Sequence, residues 1–361
     1  MRIISTAIAA SFVALSAQAD VPKVVTDIAP IQALVAKVME GVGTSKQLLP
    51  ANVSPHDYAM RPSEARALQN ADLVIWVGAE LTPTLEDSIE SLAGKAQALE
   101  LLHLNGTREL EFRESETFIE MSLGGEDAHD HGGHDEDHHD DHDKHDDHDD
   151  HEEHGEHEAH AENEDDHEGH AAEDEHHDEH DTHASHDGHS HEGVDPHAWL
   201  DPENARFWAN AIALKLSELD PDNAAAYRAN AADLDAELAA LTMSISEQLT
   251  PLSGRGFVVF HDAYQYFETR FDLAASGAFL NGDGASPSAA RLKAIQVALK
   301  ENNITCVFTE PQFNHDIVAA ISDGLDLHSE ELDPTGAKQN APNYPDLIQT
   351  LANQFEACLS H

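Results

Sequence analysis

Three histidines stand out by their settings. His56 lies in Ser54-Pro55-His56-Asp57-Tyr58, downstream of the β-prone run Ser45–Leu49. His261 follows the apolar run Phe257–Phe260 directly, and His197 sits in Asp195-Pro196-His197-Ala198-Trp199, just ahead of a helix start. His56 and His261 therefore fall where a strand ends, and ligands of open α/β sheets gather at that carboxyl edge. Neutral imidazole suits a borderline-soft divalent ion such as Zn²⁺, and three imidazoles leave one tetrahedral position for an oxygen. A candidate oxygen donor is Asp333, in Glu331-Leu332-Asp333-Pro334-Thr335-Gly336, after another short strand-like segment. Each residue taken alone is weak evidence. A lone imidazole near a strand end is ordinarily a surface or hydrogen-bonded group, and His103, His315 and His328 keep that reading. Asp57 and Asp262 adjoin two of the histidines and could orient an imidazole, although aspartate also starts helices.

The elements that must position these residues alternate. Lys23–Thr26 reads as a strand, Ile31–Met39 as a helix and Ser45–Leu49 as a strand; a helix opens at Pro62, and Leu73-Val74-Ile75-Trp76-Val77 is a buried parallel-type strand. Asp201-Pro202-Glu203 has the composition of a helix start, and Asp220-Pro221 repeats it. From there to Leu249 the chain is rich in Ala, Leu and Glu without Gly or Pro. It is either one strut about 42 Å long or two shorter helices. Beyond Gly256 come a strand Phe257–Phe260, a helix Ala263–Phe271, a strand Leu273–Ala278, a helix Ser288–Glu301, a strand Cys306–Phe308 and helices Asp316–Ile321 and Tyr344–Cys358. This βαβ grammar predicts two open α/β lobes.

Two segments stand apart. Residues 1–19 combine Arg2, a short apolar run Ile3–Leu15 and a small-x-small site at Ala17-Gln18-Ala19, the pattern of a cleavable export signal. No later run approaches 18 unbroken apolar residues, so no membrane insertion is expected. From 126 to 192 the chain is almost wholly His, Asp and Glu, holds 21 of the 28 histidines and lacks every large apolar residue. It cannot offset chain entropy by burial and is expected to be disordered. Most of the formal net charge of −51 comes from this tract. That balance argues against nucleic acid and anionic membranes as partners and favours small cations. The two cysteines, Cys306 and Cys358, would meet an oxidising compartment, where a disulfide is the default.

Several of these motifs together resemble the ZnuA family of periplasmic zinc receptors, within the wider group of manganese and zinc receptors. The likeness rests on Pro55-His56-Asp57-Tyr58, on the run from Arg61-Pro62-Ser63 through Ala71-Asp72-Leu73 to Gly78, and on Asp195-Pro196-His197-Ala198-Trp199-Leu200. It rests further on Phe260-His261-Asp262-Ala263-Tyr264, on Thr309-Glu310-Pro311-Gln312-Phe313 and on the internal His-rich insertion. The resemblance implies two lobes, 20–220 and 250–361, joined by one long rigid helix over 221–249, with the metal in the cleft between them. It implies that His56, His197 and His261 bind Zn²⁺, with Asp333 or water as fourth ligand, and that Cys306 and Cys358 form a second-lobe disulfide. A glutamate that precedes the first histidine in some members is Pro55 here, which removes one possible ligand.

The expected function is zinc capture in the periplasm by a monomeric, non-enzymatic receptor that passes its ion to the membrane permease of a zinc ABC transporter. The His-rich tract would serve as an auxiliary collector. With a span of roughly 45 Å as a flexible coil it exceeds the roughly 19 Å radius of gyration of the folded part, so it could reach the cleft. Alternatives are a Mn²⁺ or Fe²⁺ receptor and a periplasmic zinc buffer in which the tract alone binds. Three imidazoles favour zinc over the harder Mn²⁺, while Asp333 leaves that choice open. A zinc hydrolase is disfavoured because no HExxH occurs; His151-Glu152-Glu153-His154 has the wrong spacing.

Overall fold

The computed structural model describes residues 21–50, 53–56, 58–113, 193–280, 289–311, 316–322, 324–338 and 343–361. The expected export signal, the His-rich tract and Asp57 lie outside them.

In chain order the first lobe contains β1 (Val24–Thr26), α1 (Ala29–Val38), β2 (Ser45–Gln47), α2 (Pro62–Gln69), β3 (Leu73–Trp76), α3 (Pro83–Leu92) and β4 (Gln97–Glu100). Two helices follow, α4 (Pro202–Leu219) and α5 (Ala224–Leu249). The second lobe contains β5 (Phe257–His261), α6 (Gln265–Phe271), β6 (Gly277–Leu280), α7 (Ala289–Glu301), β7 (Cys306–Thr309), α8 (Asp316–Ile321), β8 (His328–Glu331) and α9 (Tyr344–Leu359). Each lobe is a four-stranded parallel sheet, and the two share one strand order: β2-β1-β3-β4 and β6-β5-β7-β8. The first and third strands of each lobe lie side by side, so the chain reverses direction across the sheet between them. Crevices at such reversals open at the carboxyl ends of the strands.

Burial follows from the sequence pattern. All five residues of β5 are buried; Phe257 and Val259 join the large core, while Val258 and Phe260 join a second cluster with Phe279, Ile295 and Val307. A strand covered on both faces shows such a continuous apolar run. The large core continues from Leu34 and Trp76 of the first lobe through Trp208 and Leu238 to Phe308 and Phe355 of the second. The stretch expected as either a strut or two helices is a single helix, α5, about 39 Å long. It lies along α4 and α1 and against α9, so it joins both lobes. Its buried residues Tyr227, Ala231, Leu234, Leu238 and Ile245 recur at helical spacing. Asp220-Pro221 opens a short 3₁₀ turn, Pro221–Asn223, ahead of α5. Asp201 caps α4 by accepting from the Glu203 amide.

The strand expected over Leu273–Ala278 starts later, at Gly277. Asp272 ends α6 in a left-handed conformation, and the amides of Leu273 and Ala275 bond back to Glu268, so pairing with β5 is delayed. Cys306 of β7 is disulfide-bonded to Cys358 of α9, with Cα atoms 5.6 Å apart. Closing that loop is worth roughly 4 kcal/mol on a chain-entropy argument. Among the described residues no helix is long and apolar enough to cross a membrane.

Asp27, at the end of β1, is fully buried and accepts from the amides of Ile28 (2.7 Å) and Val77 (2.7 Å), tying β1 to β3. Burial pushes its carboxyl up to about 7, against the pull of those two amides. A raised folded pKa means that the folded state holds a proton which the unfolded chain has released. The stabilising contribution of Asp27 is therefore complete at acid pH and declines as pH climbs from about 4 to about 7. The melting-temperature gap between wild type and Asp27→Asn is expected to favour wild type more at pH 5 than at pH 8. Equal gaps would refute this.

Candidate metal centre

Strand ends of both sheets deliver the centre. His261 is the last residue of β5. Across the β5–β7 reversal, Glu310 follows β7 directly and its Oε1 lies 2.5 Å from His261 Nδ1. Asp333 follows β8; its carboxylate is held by the Lys338 amide at 3.0 Å and by the amide and hydroxyl of Thr335 at 3.3 Å. His56 comes from the segment after β2 in the first lobe. That segment is braced by the Thr84 hydroxyl donating to the Tyr58 carbonyl and the Tyr58 hydroxyl donating to Glu64.

His197 begins a short 3₁₀ turn, Ala198–Leu200, that leads into α4. Asp195 Oδ1 accepts from its backbone amide (2.9 Å) and faces its ring Nδ1 (2.7 Å). This segment is also fastened to the second lobe. Tyr266 donates to the Asp195 carbonyl, the Trp199 indole to the Pro334 carbonyl, and Tyr344 to the Trp199 carbonyl. The same segment is tied to the first lobe by the Asp195 amide donating to the Leu110 carbonyl and by the bridge between Val194 and Glu111.

The His197 imidazole stands next to both of the others. The ring centroids of His56 and His197 are 5.4 Å apart, and those of His197 and His261 also 5.4 Å. Imidazoles bound through one nitrogen each to a tetrahedral ion, at the usual Zn–N distance, would stand about 5 Å apart by centroid. His197 and His261 are buried, at 4 and 6 % exposure, so an ion between them would be largely shielded from water. Where Asp195 and Glu310 hold Nδ1, Nε2 is left for a ligand. Metal-bound histidines characteristically pair their second nitrogen with a carboxylate in this way.

The family profile described as "Zinc-uptake complex component A periplasmic" (ZnuA) matches residues 24–358. The chain belongs to the ZnuA family. It is 42 % identical over 351 residues to the high-affinity zinc uptake system protein ZnuA of Paracoccus denitrificans, covering 96 % of this chain and 94 % of that one. To the Yersinia pestis protein of the same name it is 33 % identical, covering 93 % and 91 %. Among solved structures, a zinc-bound ZnuA deletion mutant matches with a TM-score of 0.65 at 23 % identity, over 95 % of this chain and 99 % of that one. A further ZnuA crystal structure matches at 0.64 and 24 %, over 93 % and 100 %. The structural likeness bears on the fold, which is the two-lobed α/β arrangement of ZnuA proteins.

Sequence reasoning singled out the three histidines and did not name the carboxylates that face two of them. Asp195 was hidden in an Asp-Pro pair that reads as a turn, and Glu310 is 49 residues away from the histidine it touches. Asp262, read as a possible orienting group, instead gives both oxygens to Arg113. The Nδ1 contact predicts that Asp195→Ala weakens zinc binding by about 10- to 100-fold. Asp195→Asn should recover part of that loss, since an amide oxygen can still accept from Nδ1–H. An affinity for Asp195→Ala within two-fold of wild type, read by chelator competition, would remove Asp195 from the centre.

Proposed function

We propose that this chain is a high-affinity periplasmic zinc receptor that captures Zn²⁺ between its lobes and delivers it to the membrane permease of an ABC-type uptake system. The observation that carries the proposal is the His197 imidazole standing next to those of His56 and His261, from separate segments at the carboxyl edges of two sheets, with Nδ1 of His197 and of His261 facing a buried carboxylate. In this reading His56, His197 and His261 bind the ion through nitrogen, and Asp333 or water supplies the fourth contact. The relatives named as high-affinity zinc uptake proteins support zinc as cargo.

Release follows from the distribution of ligands. His56 belongs to the first lobe and His261 to the second, while the His197 segment is bonded to both, to Leu110 on one side and to Pro334 and Tyr344 on the other. Parting the lobes would withdraw one imidazole and leave an incomplete set, a hinge-type means of lowering affinity at the permease. We assign the chain no catalytic step, take it to act as a monomer, and read residues 1–19 as its export signal. The tract at 126–192, rich in His, Asp and Glu, fits an auxiliary collector of many weak sites.

Deleting 126–192 separates this reading from the buffer alternative. Titration calorimetry of the shortened chain should retain tight zinc binding with lower total stoichiometry than the full chain. Loss of tight binding would assign zinc capture to the tract, and unchanged stoichiometry would remove the tract's collecting role.

A further inference from the structure

The shared strand order of the two sheets makes their carboxyl edges comparable. In the second lobe the third and fourth strands, β7 and β8, lead into Glu310 and Asp333. The matching strands of the first lobe, β3 and β4, lead into a different set. Glu80 lies four residues past β3, Glu100 ends β4, and His103 follows three residues later. One ligand atom from each of these three side chains lies within 4.8 Å of the others.

The support beneath them is rigid. The ladder between β3 and β4 continues through the amides of Leu101 and Leu102, which donate to the carbonyls of Trp76 and Val77 at 2.9 Å each. Both leucines are fully buried. The loop after His103 is pinned by Thr107, whose hydroxyl donates to the Leu101 carbonyl and accepts from the Trp208 indole. Glycine at position 78 leaves room for the two carboxylates to converge. A Cβ there would lie 2.9 Å from a Glu80 oxygen and 3.0 Å from a Glu100 oxygen.

His103 repeats the arrangement seen at the centre. Its Nδ1 faces Glu109 at 3.1 Å, and its Nε2 faces Glu80 at 2.7 Å. We propose that Glu80, Glu100 and His103 form a second zinc site on the first lobe, with Glu109 orienting the imidazole. Two carboxylates balance the charge of a divalent cation, and Nε2 adds the nitrogen that zinc favours over harder ions. Two tetrahedral ligands of zinc stand about 3.3 Å apart, so admitting the ion parts His103 and Glu80 by roughly half an ångström. Side chains exposed to 41 and 33 % can make that shift. With three protein ligands and water in the remaining place, the ion would exchange more readily than one in the buried centre. The choice of zinc rests on the proposed function; the geometry of the cluster does not.

Histidine footprinting by diethyl pyrocarbonate on the full chain tests the site without interference from the tract. Tryptic peptide 96–108 contains His103 alone, and peptides 47–66 and 256–270 contain His56 and His261 alone. Zinc at ten times the site's dissociation constant should lower modification of His103 by about ten-fold. In the double variant Glu80→Gln with Glu100→Gln, zinc should change His103 modification by less than about two-fold while still protecting His56. Equal modification with and without zinc in wild type would overturn the proposal and leave an ordinary histidine hydrogen-bonded between glutamates. Equal protection in wild type and double variant would overturn it as well. Protection of His103 with none at His56 would instead sink the inter-lobe receptor reading and leave this site standing.

Discussion

Replacing His197 with alanine is expected to lower zinc affinity by about 10² to 10³-fold. Apparent zinc-binding free energies of roughly 10 to 16 kcal/mol, shared among four ligands, give about 2.5 to 4 kcal/mol for each. His197 should sit at the upper end, because its ring stands next to both of the others. Its neighbour Trp199 supplies a local reporter: the indole lies 5.2 Å from the His197 ring by centroid and donates to the Pro334 carbonyl beside Asp333. Zinc entering the centre should change tryptophan emission, whereas zinc on the tract should not. Competition against a chelator, followed by that emission, would show a wild-type transition displaced by two to three decades in His197→Ala. A shift of less than about ten-fold would exclude His197 from the ligand set.

The same reasoning orders the other positions. His261→Ala removes the imidazole faced by Glu310, which is wholly buried. Part of its effect comes from leaving that carboxylate without its imidazole partner. Asp333 accepts from Thr335 and Lys338 of its own loop, so its loss would loosen that turn whatever its part in binding the ion. His197→Ala carries the same kind of cost at Asp195, which is also wholly buried.

How much of this was legible beforehand depended on whether the signal was local. β3 and β5 announced themselves because strands covered on both faces need unbroken apolar runs, and Leu73–Trp76 and 257–260 supply them. β4 gave no such signal: it is an edge strand, with Gln97 and Ala98 exposed. The α3 helix was missed for a related reason, since Leu85 is its one buried residue. At the centre, each histidine was visible as a residue type at a strand end or helix start, but their convergence depends on two lobes meeting, which no local pattern encodes. The partnerships Asp195–Tyr266, Trp199–Pro334 and His261–Glu310 span from 49 to 135 residues and became readable only in three dimensions. His103 shows the limit most clearly. Its sequence setting is that of an ordinary surface histidine, yet Glu80 reaches it from the end of the neighbouring strand.

Removing the Arg113 side chain is expected to destabilise the fold by about 3 to 5 kcal/mol, the usual result of breaking a buried charge pair from one side. Arg113 bonds both Asp262 and Glu268, and the three side chains are 14, 18 and 2 % exposed. Arg113 lies two residues past Glu111, whose bridge to Val194 pairs the segments 111–113 and 193–195. The guanidinium thus clasps that paired segment to α6 and to the residue after His261. Burial pushes the carboxyls of Asp262 and Glu268 up, and the charge of Arg113 is the largest influence drawing them back. Without that charge both folded pKa values rise further. A carboxyl whose folded pKa exceeds its unfolded value loses stabilising contribution as pH climbs between the two. The deficit of Arg113→Ala must therefore widen from pH 5 to pH 8. For a chain of this size the loss at pH 8 corresponds to a melting temperature lower by roughly 6 to 15 °C. Arg113→Met, which restores apolar volume without charge, should keep the same pH trend, which separates lost pairing from lost packing. If the deficit were as large at pH 5 as at pH 8 in both variants, the clasp would be packing alone and its electrostatic account would fail.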